Sequence, residues 1–170
     1  MSGKSSLAVD TESRCVVVPA LPLPGGCSCG AVRYQITGSP LTFYLCHCTE
    51  CQRHSSSAFG ESLRISAADF EVTGTVQLIE RSSESGTRRQ GWFCPECGVR
   101  IWHGATGSEE INIKAGTLDD TRWLKPAGHI WVRSRQPFVQ WEAGALVYET
   151  QPEPGYVQLK ARWRAMTLTA

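Results

Sequence analysis

The chain has 170 residues, 41% of them hydrophobic, and a formal net charge of +1, which suits one globular domain with a sizeable core. No apolar run approaches the length of a bilayer span, and the longest basic cluster is Arg88-Arg89, too little for an electrostatic footprint on nucleic acid. The opening MSGKSSLAVDTESRC has one early lysine and no apolar stretch behind it, so no signal peptide is expected and the default location is cytoplasmic.

Residues 1–24 read as a polar leader that ends in an edge segment, with Val16-Val17-Val18 starting a strand and Pro19 to Gly26 rich in turns. Residues 25–150 read as one domain. Ala31 to Thr37 alternates apolar and polar residues, the period of a half-buried strand, and Gly38-Ser39-Pro40 breaks it. Leu41 to Leu45 leads into Cys46. Short strands are expected at Leu63 to Ser66, Val76 to Glu80, Ile111 to Lys114, His129 to Val132 and Leu146 to Tyr148, with a polar loop at Ser82 to Gly86. Thr117 to Asp120 is a candidate helical turn, and no long helical period is visible. Residues 151–170 read as a C-terminal extension whose Val157 to Lys160 is too short and polar to place. The simplest account is one mainly β, mainly antiparallel domain.

Eight cysteines punctuate this pattern, and seven of them fall in three groups: Cys27-Ser28-Cys29, Cys46-His47-Cys48-Thr49-Glu50-Cys51 and Cys94-Pro95-Glu96-Cys97. Cys15 stands alone. A disulfide framework normally accompanies export and a smaller core, so metal binding is the better reading. Seven thiolates with two divalent ions would carry the formal charge below zero, which weakens a nucleic-acid reading further.

The CxC and CxxC pairs, each followed by a glycine (Gly30, Gly98), form tight turns whose sulfurs face inward. Together Cys27, Cys29, Cys94 and Cys97 supply a tetrahedral four-thiolate shell, which zinc favours and iron could also occupy. More than sixty residues separate the pairs, so such a metal would clip distant parts of the chain and its binding energy would appear as folding stability.

Cys46, Cys48 and Cys51 supply only three thiolates. Structural zinc is closed by four protein ligands, whereas catalytic zinc keeps one position available. His54, or a distant acidic residue, could close the site and make it a second structural centre; an empty or redox-active cluster is a third reading. An open zinc would suit a thiol substrate, lowering its pKa and holding the thiolate. Arg53, His54, Ser55, Ser56 and Ser57 are then candidate substrate contacts, against the plainer reading of a solvent-facing arginine and a polar loop. Phe59, Trp92, Phe93 and Trp102 are expected to pack around the metal segments. His103 and His129 are given no catalytic role.

The run Gly26-Cys27-Ser28-Cys29-Gly30-Ala31-Val32-Arg33-Tyr34, with Cys46-His47-Cys48-Thr49-Glu50-Cys51-Gln52-Arg53 and Phe93-Cys94-Pro95-Glu96-Cys97-Gly98, resembles the glutathione-dependent formaldehyde-activating enzyme family, also called the centromere protein V domain family. The resemblance spans roughly residues 25–148 and includes His129 to Val132. It implies an Mss4-like β-tent of short antiparallel sheets stabilised by two zinc ions. One ion, structural, would be held by Cys27, Cys29, Cys94 and Cys97; the other, linked to activity, by Cys46, Cys48 and Cys51. It also implies a carbon–sulfur lyase acting on a small thiol such as glutathione and its formaldehyde adduct, S-(hydroxymethyl)glutathione. Two positions depart from the family pattern: Ser56 stands for a small glycine and Phe138 for a later tryptophan. A zinc-stabilised binding or interaction protein without catalysis is the alternative.

Overall fold

The computed structural model describes residues 15–82, 86 and 88–169. The leader expected over residues 1–14 lies outside them, as does most of the loop expected at Ser82 to Gly86.

The strands are β1 (Val16–Val18), β2 (Leu23–Gly26), β3 (Arg33–Ile36), β4 (Thr42–Cys46), β5 (Gly60–Ser66), β6 (Phe70–Thr73), β7 (Gln77–Ser82), β8 (Arg88–Phe93), β9 (Arg100–Ala105), β10 (Glu110–Ile113), β11 (Gly128–Ile130), β12 (Leu146–Val147) and β13 (Thr167–Thr169), with helices α1 (Thr49–Ser55) and α2 (Val157–Met166). Eight strands form one open sheet in the order β12-β11-β4-β5-β10-β9-β8-β7, and β2-β3-β6 form a smaller one. β3 alternates exposed and buried residues along its length, as its sequence period requires.

β4 differs: all five of its residues are buried, the pattern of a strand covered on both faces. One cover is α2. Trp163 meets Phe43 edge-to-face with centroids 6.4 Å apart, its indole N–H donates to the Pro40 carbonyl at 3.0 Å, and the Thr42 hydroxyl donates to the Leu159 carbonyl at 3.2 Å. Leu159, Trp163 and Met166 follow the i, i+4, i+7 spacing of one helix face, and the first two are buried. The polar residues between them hide that stripe from a strand-seeking eye.

The expectation of short antiparallel sheets therefore needs correction. β11 runs parallel to both β4 and β12, and β1 runs parallel to β13. With α1 and α2 this is a mixed α/β fold around an open sheet, in which strands predominate. The strand expected at His129 to Val132 stops at Ile130, because Trp131 takes a left-handed conformation (φ 60°) and a helical turn follows over Val132–Ser134. The turn expected from Thr117 lies just earlier, at Ala115–Thr117. No helix among the described residues is long and apolar enough to cross a membrane.

Candidate metal centres and the cavity beside them

Two turns of the same construction carry the four-cysteine group. Between β2 and β3, the Cys27 N–H donates to the Val32 carbonyl at 3.0 Å and the Gly30 N–H to the Cys27 carbonyl at 3.2 Å; between β8 and β9, the Cys94 N–H donates to Val99 and the Gly98 N–H to Cys94, both at 2.9 Å. Gly30 (φ 81°) and Gly98 (φ 73°) take the left-handed conformation that closes each turn. The Sγ atoms of Cys27, Cys29, Cys94 and Cys97 all lie within 4.8 Å of one another. Cys27 and Cys29 are 3.4 Å apart and Cys29 and Cys94 are 3.7 Å apart, far beyond a disulfide bond of about 2.05 Å. Tetrahedral metal–sulfur bonds of about 2.3 Å put neighbouring sulfurs roughly 3.8 Å apart, so the donor set fits one metal ion. Burial opposes ionisation of Cys27, but the Val32 N–H, donating to its sulfur at 3.2 Å, and the neighbouring thiols outweigh it and bring the thiol down to about 6. The group joins the small sheet to the large one.

The three-cysteine group is built otherwise. Cys46 ends β4, Cys48 caps α1 with its sulfur accepting the Cys51 N–H at 3.4 Å, and Cys51 lies in the first turn of α1. Their sulfurs also lie within 4.8 Å of one another, and no histidine, aspartate, glutamate or further cysteine among the described residues joins them. Hydrogen bonds from Cys46 and Cys48 lower the Cys51 thiol strongly, against burial, and Lys114 and Arg100 lower it further. The same sharing raises Cys46. Both groups could thus hold a metal ion, one with four sulfurs and one with three.

His47 points away from the three sulfurs into the core. Its Nε2 lies 3.0 Å from Nδ1 of His129, the rings stacked 5.2 Å apart, and both residues are buried. Burial, then the neighbouring His129, holds the His47 imidazole down at about 4. His129 is brought there by the parallel register that sets it opposite Leu45, and its Nε2 faces Glu142 at 3.9 Å. The Gln52 amide donates to the carbonyls of His47 and Ser134, which ties the turn before α1 to the segment after β11.

A cavity of about 900 Å³ borders Cys46, Cys48 and Cys51, within the size range of small-ligand sites. Strands β4, β9 and β10 contribute Tyr44, His103 and Asn112 to its wall; Asn112 pairs with His103 in register, and the Tyr44 hydroxyl donates to Asn112 Oδ1 at 2.8 Å. His103 Nδ1 is buried without a partner, and burial first, then four surrounding cations, pushes this imidazole well below its usual range. Arg64, Arg81, Arg89 and Arg133 also line the space.

A family model described as glutathione-dependent formaldehyde-activating enzyme matches residues 22–134, about two thirds of the chain and all seven grouped cysteines. The chain belongs to that family. A solved structure of a Rhodobacter sphaeroides protein is similar at 23% identity over 61% of this chain and 92% of its own, with a TM-score of 0.46.

Within this family member the five candidate contacts after Cys51 lie on α1 and its end. Arg53 is highly exposed and 3.8 Å from Glu50, and His54 is 4.0 Å from the same carboxylate. The Ser55 hydroxyl donates to the Cys51 and Phe59 carbonyls, each at 2.8 Å. Ser56 takes the left-handed conformation (φ 49°) that ends the helix, and the Ser57 N–H donates to the Gln52 carbonyl. The cavity wall instead draws on Tyr44, Arg89, His103, Asn112 and Tyr156, which no local motif marks. The alternation of Ile111-Asn112-Ile113 was the one available signal, since it sets Asn112 on the opposite face from its apolar neighbours. Phe138 is exposed.

Proposed function

We propose that this chain is a zinc enzyme acting on small thiol adducts, interconverting glutathione plus formaldehyde with S-(hydroxymethyl)glutathione or running the same reaction on a related thiol and aldehyde. One observation carries the reading: three convergent cysteine sulfurs, with no fourth protein ligand among the described residues, open onto a cavity of about 900 Å³. Membership of the family supports it.

In the adduct-forming direction the thiol loses its proton, the sulfur–carbon bond forms as the carbonyl π bond breaks, and the oxygen takes up a proton. A zinc ion held by Cys46, Cys48 and Cys51 would lower the pKa of the thiol and polarise the carbonyl. The cysteines are ligands and not covalent nucleophiles. Arg89 and Arg133 line the cavity, and in this reading they receive the carboxylates of an acidic thiol such as glutathione. His103, neutral with Nδ1 unpartnered, and Asn112 offer hydrogen bonds to the reacting oxygen. Cys27, Cys29, Cys94 and Cys97 would hold a structural zinc that fixes the two sheets.

A zinc-edge anomalous crystal structure soaked with glutathione tests the reading. A glutathione sulfur at the metal held by Cys46, Cys48 and Cys51 is expected. A protein side chain closing that metal, with an empty cavity beside it, would turn the chain into a zinc-stabilised binding protein.

A further inference from the structure

The cavity beside the three-cysteine group has one wall that the family match over residues 22–134 does not reach. Thr150, Gln151 and Tyr156 belong to it, and they face the same space as Trp131 and Arg133 from the segment after β11. That segment begins at the three-cysteine group itself: Ile130 pairs with Cys46, and the His47 N–H donates to the Ile130 carbonyl at 2.9 Å. Residues 148–150 then hold it. The Trp131 and Val132 N–H groups donate to the Thr150 and Tyr148 carbonyls, each at 3.1 Å, and the Arg133 N–H donates to the Glu149 carbonyl at 3.3 Å.

Two rings of this wall sit on unusual backbone. Among the described residues three non-glycine positions take positive φ: Ser56, which ends α1, and the cavity aromatics Trp131 (60°) and Tyr156 (57°). Left-handed backbone is costly for a bulky residue and persists where the surroundings over-determine it. Gln151 joins the two. Its side-chain oxygen accepts the Trp131 indole N–H at 3.1 Å, and its amide donates to the Tyr156 hydroxyl. Gln151 is itself exposed, so burial does not demand these bonds; what they fix is the setting of two rings.

Each ring carries an arginine. The Arg133 guanidinium lies 4.9 Å from the centre of the Trp131 ring, and that of Arg64 lies 4.3 Å from the centre of the Tyr156 ring. A guanidinium stacked on a ring keeps its planar fork of N–H donors for a carboxylate. No carboxylate among the described residues pairs with Arg133, and Arg64 shares Glu110 with Lys160, so one acid faces two cations there. The one acidic residue in the cavity wall, Glu50, is engaged by Arg81 at 2.8 Å. The wall therefore presents an excess of positive charge at fixed positions.

We propose that residues 148–156 build the selectivity wall of this cavity, and that it selects thiols and thiol adducts bearing carboxylates. Gln151 is its positioning residue, locking Trp131 and Tyr156 so that Arg133 and Arg64 present their N–H edges to the ligand. This rests on the reading of the cavity as the thiol site and adds the part that chooses among thiols. Bidentate arginine–carboxylate contacts depend on the plane of the guanidinium, so a ring that swings costs selectivity without touching the metal or the reacting atoms.

Binding and turnover on the full zinc-loaded chain test it. S-methylglutathione, with two carboxylates and no free thiol, reports binding alone by calorimetry; glutathione and the uncharged 2-mercaptoethanol, each with formaldehyde, report turnover. Gln151→Ala and Arg133→Met are each expected to weaken S-methylglutathione about 10-fold, the loss of one charge-assisted contact. The preference in kcat/KM for glutathione over 2-mercaptoethanol should fall by a similar factor, through KM rather than kcat. Tyr156→Phe, which keeps the ring under Arg64, should lose less than Gln151→Ala. Unchanged S-methylglutathione affinity in both variants, equal losses with the two thiols, or a wild-type chain that does not bind S-methylglutathione would each overturn the proposal. A wild-type chain that turns over 2-mercaptoethanol as well as glutathione would also overturn it, while leaving the thiol chemistry standing. A wild-type chain that binds S-methylglutathione through Gln151 and Arg133 yet turns over neither thiol would sink the reaction and leave this wall in place.

Discussion

The two cysteine groups of this chain offer the same donor chemistry in opposite settings. The four-cysteine group joins two hairpin-like turns from two sheets, each closed by a left-handed glycine, with Cys29 at the surface. Its ligand count is complete, and what it can add is the connection itself. The three-cysteine group lies at a strand end and a helix start and borders a cavity. A complete shell at a junction between sheets suits stability, whereas an incomplete shell beside a cavity suits chemistry.

The sharpest way to break this contrast is to remove one ligand from each group. Cys94→Ala should cost several kcal/mol, because the metal's binding free energy is folding free energy where it joins distant segments. Cys48→Ala should release one metal and leave most of the cooperative unfolding intact. Denaturant unfolding with zinc analysis decides, and equal destabilisation by both would end the division of labour.

Metal removal should follow the same order. On titration with a chelator, one zinc equivalent should leave while far-ultraviolet circular dichroism holds, and the spectrum should change only as the second leaves. Simultaneous loss of both would mean that the incomplete shell holds its metal as firmly as the complete one.

Two glycines sharpen the comparison at smaller scale. Gly98→Ala meets no atom within 4 Å but must hold φ at 73°, so it should cost about 1–2 kcal/mol of backbone strain and act through the four-cysteine turn. Gly60→Ala would bring a Cβ to 3.0 Å from Cys51 Cβ and 3.2 Å from Lys114 Nζ. It should weaken zinc at the three-cysteine centre while stability changes little.

The smallest effect concerns pH. Only the three-cysteine side has buried histidines packed behind it. The His47 imidazole falls from 6.5 to about 4 on folding, so the unfolded chain binds the proton more readily. Its contribution to stability is full above pH 6.5 and is lost as pH falls toward 4. His47→Asn should flatten the pH dependence of stability between pH 7 and 5, leaving the part that comes from metal release; an unchanged slope would mean that His47 does not remain neutral.

How much of this was legible in the sequence varies with the reach of the interaction. CxC, CHCxxC and CxxC are local, so their spacing alone predicts convergent sulfurs within each group, and the group sizes predict one complete and one incomplete shell. The strands with clean alternation, such as β3 and β10, were also legible. Helix α2 was carried by Leu159, Trp163 and Met166 but obscured by polar neighbours, and α1 was obscured by the cysteines at its cap and in its first turn. The parallel placing of β11 beside β4 left no local mark, because a strand's own period does not say which strand it will pair with or in which direction.

The sequence by itself determined the donors: seven thiols in three short groups, with glycines where two of the turns require left-handed backbone. Only the tertiary structure decided their surroundings. Strand register brought His129 to His47, set Tyr44, His103 and Asn112 around the cavity, and carried Lys114 to the neighbourhood of Cys51 across more than sixty residues of chain. The physical reason is that metal ligation by close-spaced cysteines is fixed by a few backbone dihedrals, whereas charge balance and cavity shape depend on the packing of the whole sheet.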